Sequence, residues 1–160
     1  EDYEWGNMDK GTLFLDHKAT LVPRTLRSLF AQLSRNFLFS GDTTKCLNVA
    51  NQSFDKMPES IMRMDNGLKS YYIDLYNAAG DKETATAKLT ELATDIEEQA
   101  KYYMNFNKSA SLDLKNQMRN KIGQLARDAR DAKSIADRIG LKELAERMQV
   151  TSEMLGGTGG

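Results

Sequence analysis

Few side chains in this sequence have the type and spacing that catalysis requires. His17 is the only histidine, and it follows Asp16, as a member of an acid–base pair might be expected to do. Adjacent residues on a helix do not face each other, and one histidine cannot complete a metal site of the usual type. We therefore expect a surface or capping role for His17, with the acid–base pair as the alternative.

The remaining reactive groups favour structural roles. Cys46 is the only cysteine, so no internal disulfide can form. It lies on the predicted inner face of a helix, which favours a buried inert thiol over a nucleophile. The carboxylates of the fourth helix, Glu91 and Asp95 among them, show no spacing typical of metal ligands, so we expect a solvated surface. The chain is predicted to hold no metal, no cofactor and no catalytic residue.

Two tyrosines are the best candidates for a binding surface. Aromatic residues cluster near two predicted helix ends, and core packing accounts for Tyr72, Tyr76 and Tyr103. Tyr71 and Tyr102 fall outside the inward-facing stripes. Exposed aromatic side chains anchor peptides or sugars, which makes these two residues candidate contacts. The alternative is that they pack against the N-terminal segment of the same chain.

Composition limits the class of protein. The chain has 160 residues, 40% hydrophobic and 28% charged, which is typical of a folded domain with a real core. A net charge of −1 argues against a nucleic-acid partner. Between Arg119 and Arg147 the charges alternate in sign, which is typical of an exposed helix face. No apolar run is long enough to span a membrane and no leader is evident, so the chain is predicted to be soluble as given.

Helical periodicity dominates the sequence and predicts an all-α fold of about six helices. Gly41, Gly80 and Gly140 are each followed, five positions later, by a small residue: Cys46, Ala85 and Ala145. A glycine turn followed by a small residue suits two closely packed antiparallel helices. We therefore predict three stacked hairpins, irregularly spaced, with Asp42 capping the second helix.

The helix boundaries and inner faces follow from the same spacing. The predicted inner face of the first helix comprises Leu26, Leu29, Phe30, Leu33, Phe37 and Leu38. Gln99 is placed on the inner face of the fourth helix, which is predicted to break near residues 105–111. The fifth helix is predicted over about residues 112–139.

A single helical-repeat domain is predicted over residues 1–155, with an extended arm at 1–15 and a flexible tail at 156–160. The arm is rich in large apolar residues, including Trp5 and Phe14. Burying each such side chain is worth about 1.5–3 kcal/mol, so we expect the arm to dock on the helices.

Two resemblances narrow this further. The first hairpin loosely matches the tetratricopeptide pattern, with Ser34 in place of the usual glycine or alanine. In addition, the segments WGNM, LFLD, LRSLFAQLSRNFLFSGD, MP, YYIDLYNAAGDKETA and YYMNF occur in this order over about residues 3–106. This order resembles the C-terminal part of a bacterial family of multispanning membrane proteins of unknown function, themselves similar to protein O-mannosyltransferases.

The resemblance implies that the chain is a fragment: a tetratricopeptide-like, periplasm-facing part of a cell-envelope membrane protein. Any transferase activity would belong to the upstream membrane part, and this chain would reach the membrane only through it. We therefore expect a non-catalytic interaction or positioning domain that contacts a protein or its own membrane part. The alternative is an accessory domain that binds the sugar or polypeptide acceptor of a glycosyltransferase. The oligomeric state stays open.

Overall fold

The computed structural model describes residues 21–60, 62–109 and 111–157. Within these ranges the fold is all-helical and contains no strand. In chain order the six helices are α1 (Leu21–Phe39), α2 (Thr43–Lys56), α3 (Asn66–Ala78), α4 (Lys82–Ser109), α5 (Leu112–Ile139) and α6 (Lys142–Gly156). None of these described helices combines the length and the apolar character that a transmembrane span requires.

The three predicted glycine turns share one hydrogen-bonding pattern. Gly41, Gly80 and Gly140 have φ angles of +81°, +93° and +91°, a region that other residues enter at a steric cost. At the first turn the N–H of Asp42 donates to the carbonyl of Phe37 over 2.9 Å, and the N–H of Gly41 donates to Leu38 over 3.0 Å. The same pair of bonds recurs at the other two turns. This Schellman arrangement satisfies the last carbonyls of a helix and ends it.

The turn into α2 is completed by its N-cap. The side chain of Asp42 accepts a hydrogen bond of 2.9 Å from the N–H of Lys45 and also forms an ion pair of 2.8 Å with the Lys45 ammonium. The hydrogen bond from the Lys45 ammonium, and after it the one from the Lys45 N–H, hold the pKa of Asp42 below its ordinary value. A carboxylate at this position satisfies a free amide and interacts favourably with the helix dipole, so the predicted cap is confirmed.

The chain divides into two compact units, residues 1–82 and 83–160. In the first unit, α1 packs on α2 and both helices contact α3. Two tyrosines of α3, Tyr72 and Tyr76, are fully buried there, and the ring of Phe54 packs edge-on against Tyr72 at 5.0 Å. Both phenol hydroxyls are hydrogen-bonded: that of Tyr76 donates to Asn51 Oδ1, and that of Tyr72 bonds to Ser53 Oγ.

In the second unit, α5 packs on α6. Its core combines apolar residues of α4 with a small-residue stripe of α5. The buried residues include Leu89, Leu92, Ile96, Ala129, Ala132, Ala136 and Met148. The alanines permit close approach of neighbouring helices. The small residues predicted after the turns, Cys46, Ala85 and Ala145, are all buried. The stacking of three hairpins and the single-domain assignment of residues 1–155 stay predictions.

Several details of the sequence-based prediction are wrong. Leu29 and Leu33 are exposed, and α1 instead buries Arg27, Ala31 and Ser34. The predicted inner face of α1 was drawn through its largest apolar residues. Because α1 packs against both α2 and α3, small side chains are favoured on its buried face. Ser34 supplies such a side chain, and its hydroxyl donates to the carbonyl of Phe30 over 2.9 Å.

The remaining differences from the prediction concern α4 to α6. Gln99 is exposed, and Ala100 is buried in its place. The predicted break near residues 105–111 is found between α4 and α5, but α4 reaches Ser109, so most of the polar segment after residue 105 is helical. The helix α6 includes Gly156, the first residue of the predicted tail. On α5, Asp128 is buried and accepts from Gln124 over 2.8 Å, although it belongs to the charged stretch that was predicted to be solvated.

Candidate functional site

A concave surface of the second unit lies between α4 and α6, hereafter the α4–α6 groove. It has a volume of about 600 Å³, within the range of ligand and peptide sites. Its wall comprises Glu97 and Lys101 of α4 with Glu143, Glu146, Arg147, Val150, Thr151 and Met154 of α6. Val150 and Met154 are 65% and 41% exposed, so the groove presents apolar surface to the solvent.

An ion pair spans this groove. The guanidinium of Arg147 donates from Nε to Glu97 Oε1 over 3.0 Å and from Nη2 to Glu97 Oε2 over 2.9 Å. The two parallel bonds fix the orientation of both side chains and raise the pKa of Arg147. Because the pair is solvent-accessible, its contribution to the free energy of folding is small. The ion pair instead fixes the position of Arg147 on α6 relative to Glu97 on α4.

A second groove lies on the other side of α6. It has a volume of about 520 Å³ and is lined by Lys133 and Asp137 of α5 with Lys142, Ala145, Glu146, Gln149 and Val150 of α6. The ammonium of Lys133 is paired with Asp137 at 2.7 Å. Glu146 lines both grooves. Val150 also lines both grooves and forms an apolar ridge between them.

Tyr102, predicted as a binding residue, is the most exposed aromatic side chain described in the second unit, with 63% of its surface accessible. It stacks nearly parallel to Phe106 with ring centroids 6.1 Å apart and meets Tyr103 edge-on at 5.4 Å. Tyr103 is half-buried, and its contact in this cluster is the edge-on one with Tyr102. An exposed aromatic stack is a suitable platform for an apolar or sugar group.

Tyr71, the other predicted binding residue, lies in the first unit and is half-buried. The guanidinium of Arg35 lies over its ring, 5.9 Å from the centroid, and over Phe39 at 5.0 Å. These cation–π contacts occupy one face of Tyr71, which makes it a less open anchor than Tyr102.

The candidate reactive groups take structural positions where they are described. Cys46 is fully buried, and burial raises the pKa of its thiol, which opposes formation of the nucleophilic thiolate. Asp95 is half-buried, and no group of three or more His, Cys, Asp or Glu side chains that could hold a metal is found within residues 21–60, 62–109 and 111–157. His17, Asp16, Trp5 and Phe14 lie outside the described residues.

Sequence reasoning missed one unusual residue, Arg27 on α1. Its side chain is only 2% exposed and lines a cavity of about 210 Å³ in the first unit. The sequence pattern around Arg27 is the same as that around an arginine on an exposed helix face. The only sequence signal was its position three residues before Phe30 and four before Ala31, within the periodicity of the inner face.

Comparison with known proteins identified no relative of this chain. No family profile matches the chain, and searches of curated proteins and of solved structures also found no match. The class of the protein is therefore defined by the geometry of its described residues, which are all-helical, with solvent-facing helical grooves in one unit and a cavity beside a buried arginine in the other.

Proposed function

We propose that this chain is a non-catalytic interaction domain that binds a protein partner in the α4–α6 groove. The observation that carries the proposal is the exposure of Val150 and Met154, one helical turn apart, in a groove of about 600 Å³. Apolar residues grouped in a concave surface mark interaction sites more often than isolated exposed ones do. The ion pair of Arg147 with Glu97 holds the wall of the groove in place before a partner binds.

The chemistry of the wall defines the partner. With Glu97 and Arg147 paired to each other, Glu143 and Glu146 outnumber Lys101 among the remaining charges. A fitting ligand is an amphipathic helical segment with apolar residues spaced by three or four positions and a basic residue beside them. The apolar residues would cover Val150 and Met154, and the basic residue would face the two glutamates.

The family resemblance supplies a context for this proposal. If the chain is a periplasm-facing part of a multispanning envelope protein, the partner segment is a juxtamembrane helix of its own membrane part or of an associated protein. The domain then positions that partner and performs no chemistry itself. This assignment to the cell envelope rests on the resemblance alone.

A second function is an acceptor-binding domain of a membrane glycosyltransferase. The exposed stack of Tyr102 and Phe106 supports it, because sugar rings pack against accessible aromatic faces. Tyr71 is a weaker candidate for this role, since Arg35 already lies over its ring.

Site-specific photo-crosslinking in the native host tests the first function. A benzophenone side chain at Met154 should give a defined crosslinked species, and the same group at Arg130, an exposed position of α5 outside both grooves, should not. Adding Val150→Asp should remove the Met154 crosslink, because a charge on the apolar ridge opposes docking. Equal crosslinking at the two positions, or a crosslink that survives Val150→Asp, would contradict the proposal.

A titration distinguishes acceptor binding from the binding of a protein partner. Soluble oligosaccharides and peptides with the predicted amphipathic pattern are added to isotopically labelled protein, and the ring signals of Tyr102 are followed by NMR. A saturable shift with the oligosaccharide and none with the peptide would favour acceptor binding over the interaction domain. The mutation Tyr102→Ala should then remove sugar binding.

A further inference from the structure

Arg27 has an incomplete set of hydrogen bonds for a buried cation. Its Nη1 donates to the backbone carbonyl of Met62 over 2.9 Å. Its Nε and Nη2 atoms are buried and have no hydrogen-bond partner among the residues that the structure describes. Burial lowers the pKa of Arg27, and the charge of Glu59 raises it in part, yet a guanidinium remains protonated in proteins. A buried charge with unpaired donors is destabilising, so an acceptor at these two atoms would be favourable.

The two unpaired nitrogen atoms form one edge of the guanidinium. Nε–H and Nη2–H point in the same direction and are spaced for two parallel hydrogen bonds to oxygens on one atom. This is the edge that recognises carboxylate and phosphate groups. The nearby carboxylates are engaged elsewhere: Glu59 pairs with Lys69 at 2.9 Å, and Asp65 accepts from the N–H of Leu68 as the cap of α3.

The cavity beside Arg27 has the charge and size for a small anion. It has a volume of about 210 Å³ and is lined by Arg24, Thr25, Arg27, Ser28, Met62, Arg63, Met64, Asp65 and Leu68. Three arginines against one aspartate give the wall an excess of positive charge. Arg24 and Arg63 are exposed and lie at the solvent side, whereas Arg27 is the buried member.

We propose that this cavity binds the phosphate group of a small ligand, with the Nε and Nη2 edge of Arg27 as the main contact and Arg24 and Arg63 as supporting charges. Phosphate fits better than a single carboxylate because its charge near neutral pH approaches the net positive charge of the wall. The edge of Arg27 is closed to solvent, so binding requires the wall to adjust. Met62 and Met64, both in the wall and unbranched, are the side chains that adjust most readily.

The site is independent of the proposed partner groove, since it lies in the other unit. A suitable probe is inorganic phosphate, titrated into the full chain against sodium chloride at matched ionic strength. With methionine methyl groups labelled for NMR, the signals of Met62 and Met64 should shift saturably, whereas those of Met148 and Met154 should not. Glycerol phosphate should shift the same two signals if the group belongs to a larger molecule. A stronger response to acetate than to phosphate would overturn the phosphate assignment.

Variants test the role of each arginine. Arg24→Gln and Arg63→Gln should each weaken phosphate binding at least fivefold, and Arg130→Gln on α5 should leave it unchanged. Arg27→Lys keeps a positive charge but loses the two-donor edge, so binding should fall at least tenfold. If Arg27→Lys does not fold, the two exposed arginines decide the question. Absence of saturable shifts, or equal phosphate affinity in Arg63→Gln, Arg24→Gln and the unaltered protein, would overturn the proposal.

Discussion

The phenol hydroxyl of Tyr72 donates a hydrogen bond to the backbone carbonyl of Arg27, 2.8 Å away and 45 residues earlier in the chain. The same oxygen lies 2.8 Å from Ser53 Oγ in a second hydrogen bond. One buried hydroxyl therefore connects α1, α2 and α3. Desolvation in this position raises the pKa of Tyr72 to about 12, which keeps the group neutral at physiological pH.

Removing this hydroxyl should destabilise the first unit. Tyr72→Phe removes the hydrogen bond to the Arg27 carbonyl and deprives the buried Ser53 hydroxyl of this partner, at a cost of about 1–3 kcal/mol. Urea denaturation monitored by circular dichroism gives the free energy of unfolding. Tyr71→Phe is the control, because its hydroxyl takes no part in this connection. Equal stability of the two variants would contradict the role assigned to Tyr72.

Replacing glycine by alanine should destabilise the protein at the turns and stabilise it inside a helix. Gly80→Ala and Gly140→Ala should each destabilise by about 1 kcal/mol, because alanine enters the left-handed region at a steric cost. No atom lies within 4 Å of the added methyl group at either position, so the penalty comes from the backbone alone. Gly123→Ala, inside α5 and with only Arg127 nearby, should stabilise by up to about 1 kcal/mol. Thermal melts of the three variants check this, and an unchanged or raised melting temperature for Gly80→Ala would mean that its turn is misassigned.

The Asp42 cap should make stability depend on pH in one direction. The folded-state pKa of Asp42 is lowered by its hydrogen bond from Lys45. Its contribution is therefore present above the unfolded-state value of about 3.9 and is lost as the pH falls through the folded-state value. Asp42→Ala should lower the urea midpoint at pH 7, and the difference from the unaltered protein should shrink in acid. Asp42→Asn, which also caps, should lose less at neutral pH.

Removing residues 1–14 should lower stability, because the apolar composition of this segment predicts docking on the helices. Loss of Trp5 and Phe14 burial would cost about 1.5–3 kcal/mol for each side chain. Tryptophan fluorescence tests the docking directly, since Trp5 is the only tryptophan. An emission maximum typical of hydrated indole, with unhindered quenching by iodide, would show that the segment is free in solution.

The sequence also predicts that no metal supports the fold. One histidine and one buried cysteine cannot complete a structural site of the usual type. A chelator should therefore leave the melting temperature unchanged. A drop of several degrees that is reversed by adding a divalent metal would contradict this prediction.

The sequence by itself predicted the local features of this protein well. Each turn glycine, the Asp42 cap and the bounds of α5 depend on backbone sterics and on groups within a few residues of one another. Such features need no knowledge of distant segments. The exposure of Tyr102 also followed from helical periodicity, because a residue outside the inner stripe faces the solvent unless another element covers it.

Only the tertiary structure decided which face of α1 is buried and which side chains meet. Leu29 and Leu33 are exposed because the space beside α1 is filled by large rings from α2 and α3, and Ala31 and Ser34 let the helices approach. Arg27 is buried because its partner, the carbonyl of Met62, comes from a loop 35 residues away. The α4–α6 groove likewise depends on Glu97 and Arg147, which are 50 residues apart. Periodicity states which residues share a helix face, but the choice of buried face depends on the volumes and polar groups that other segments bring to it.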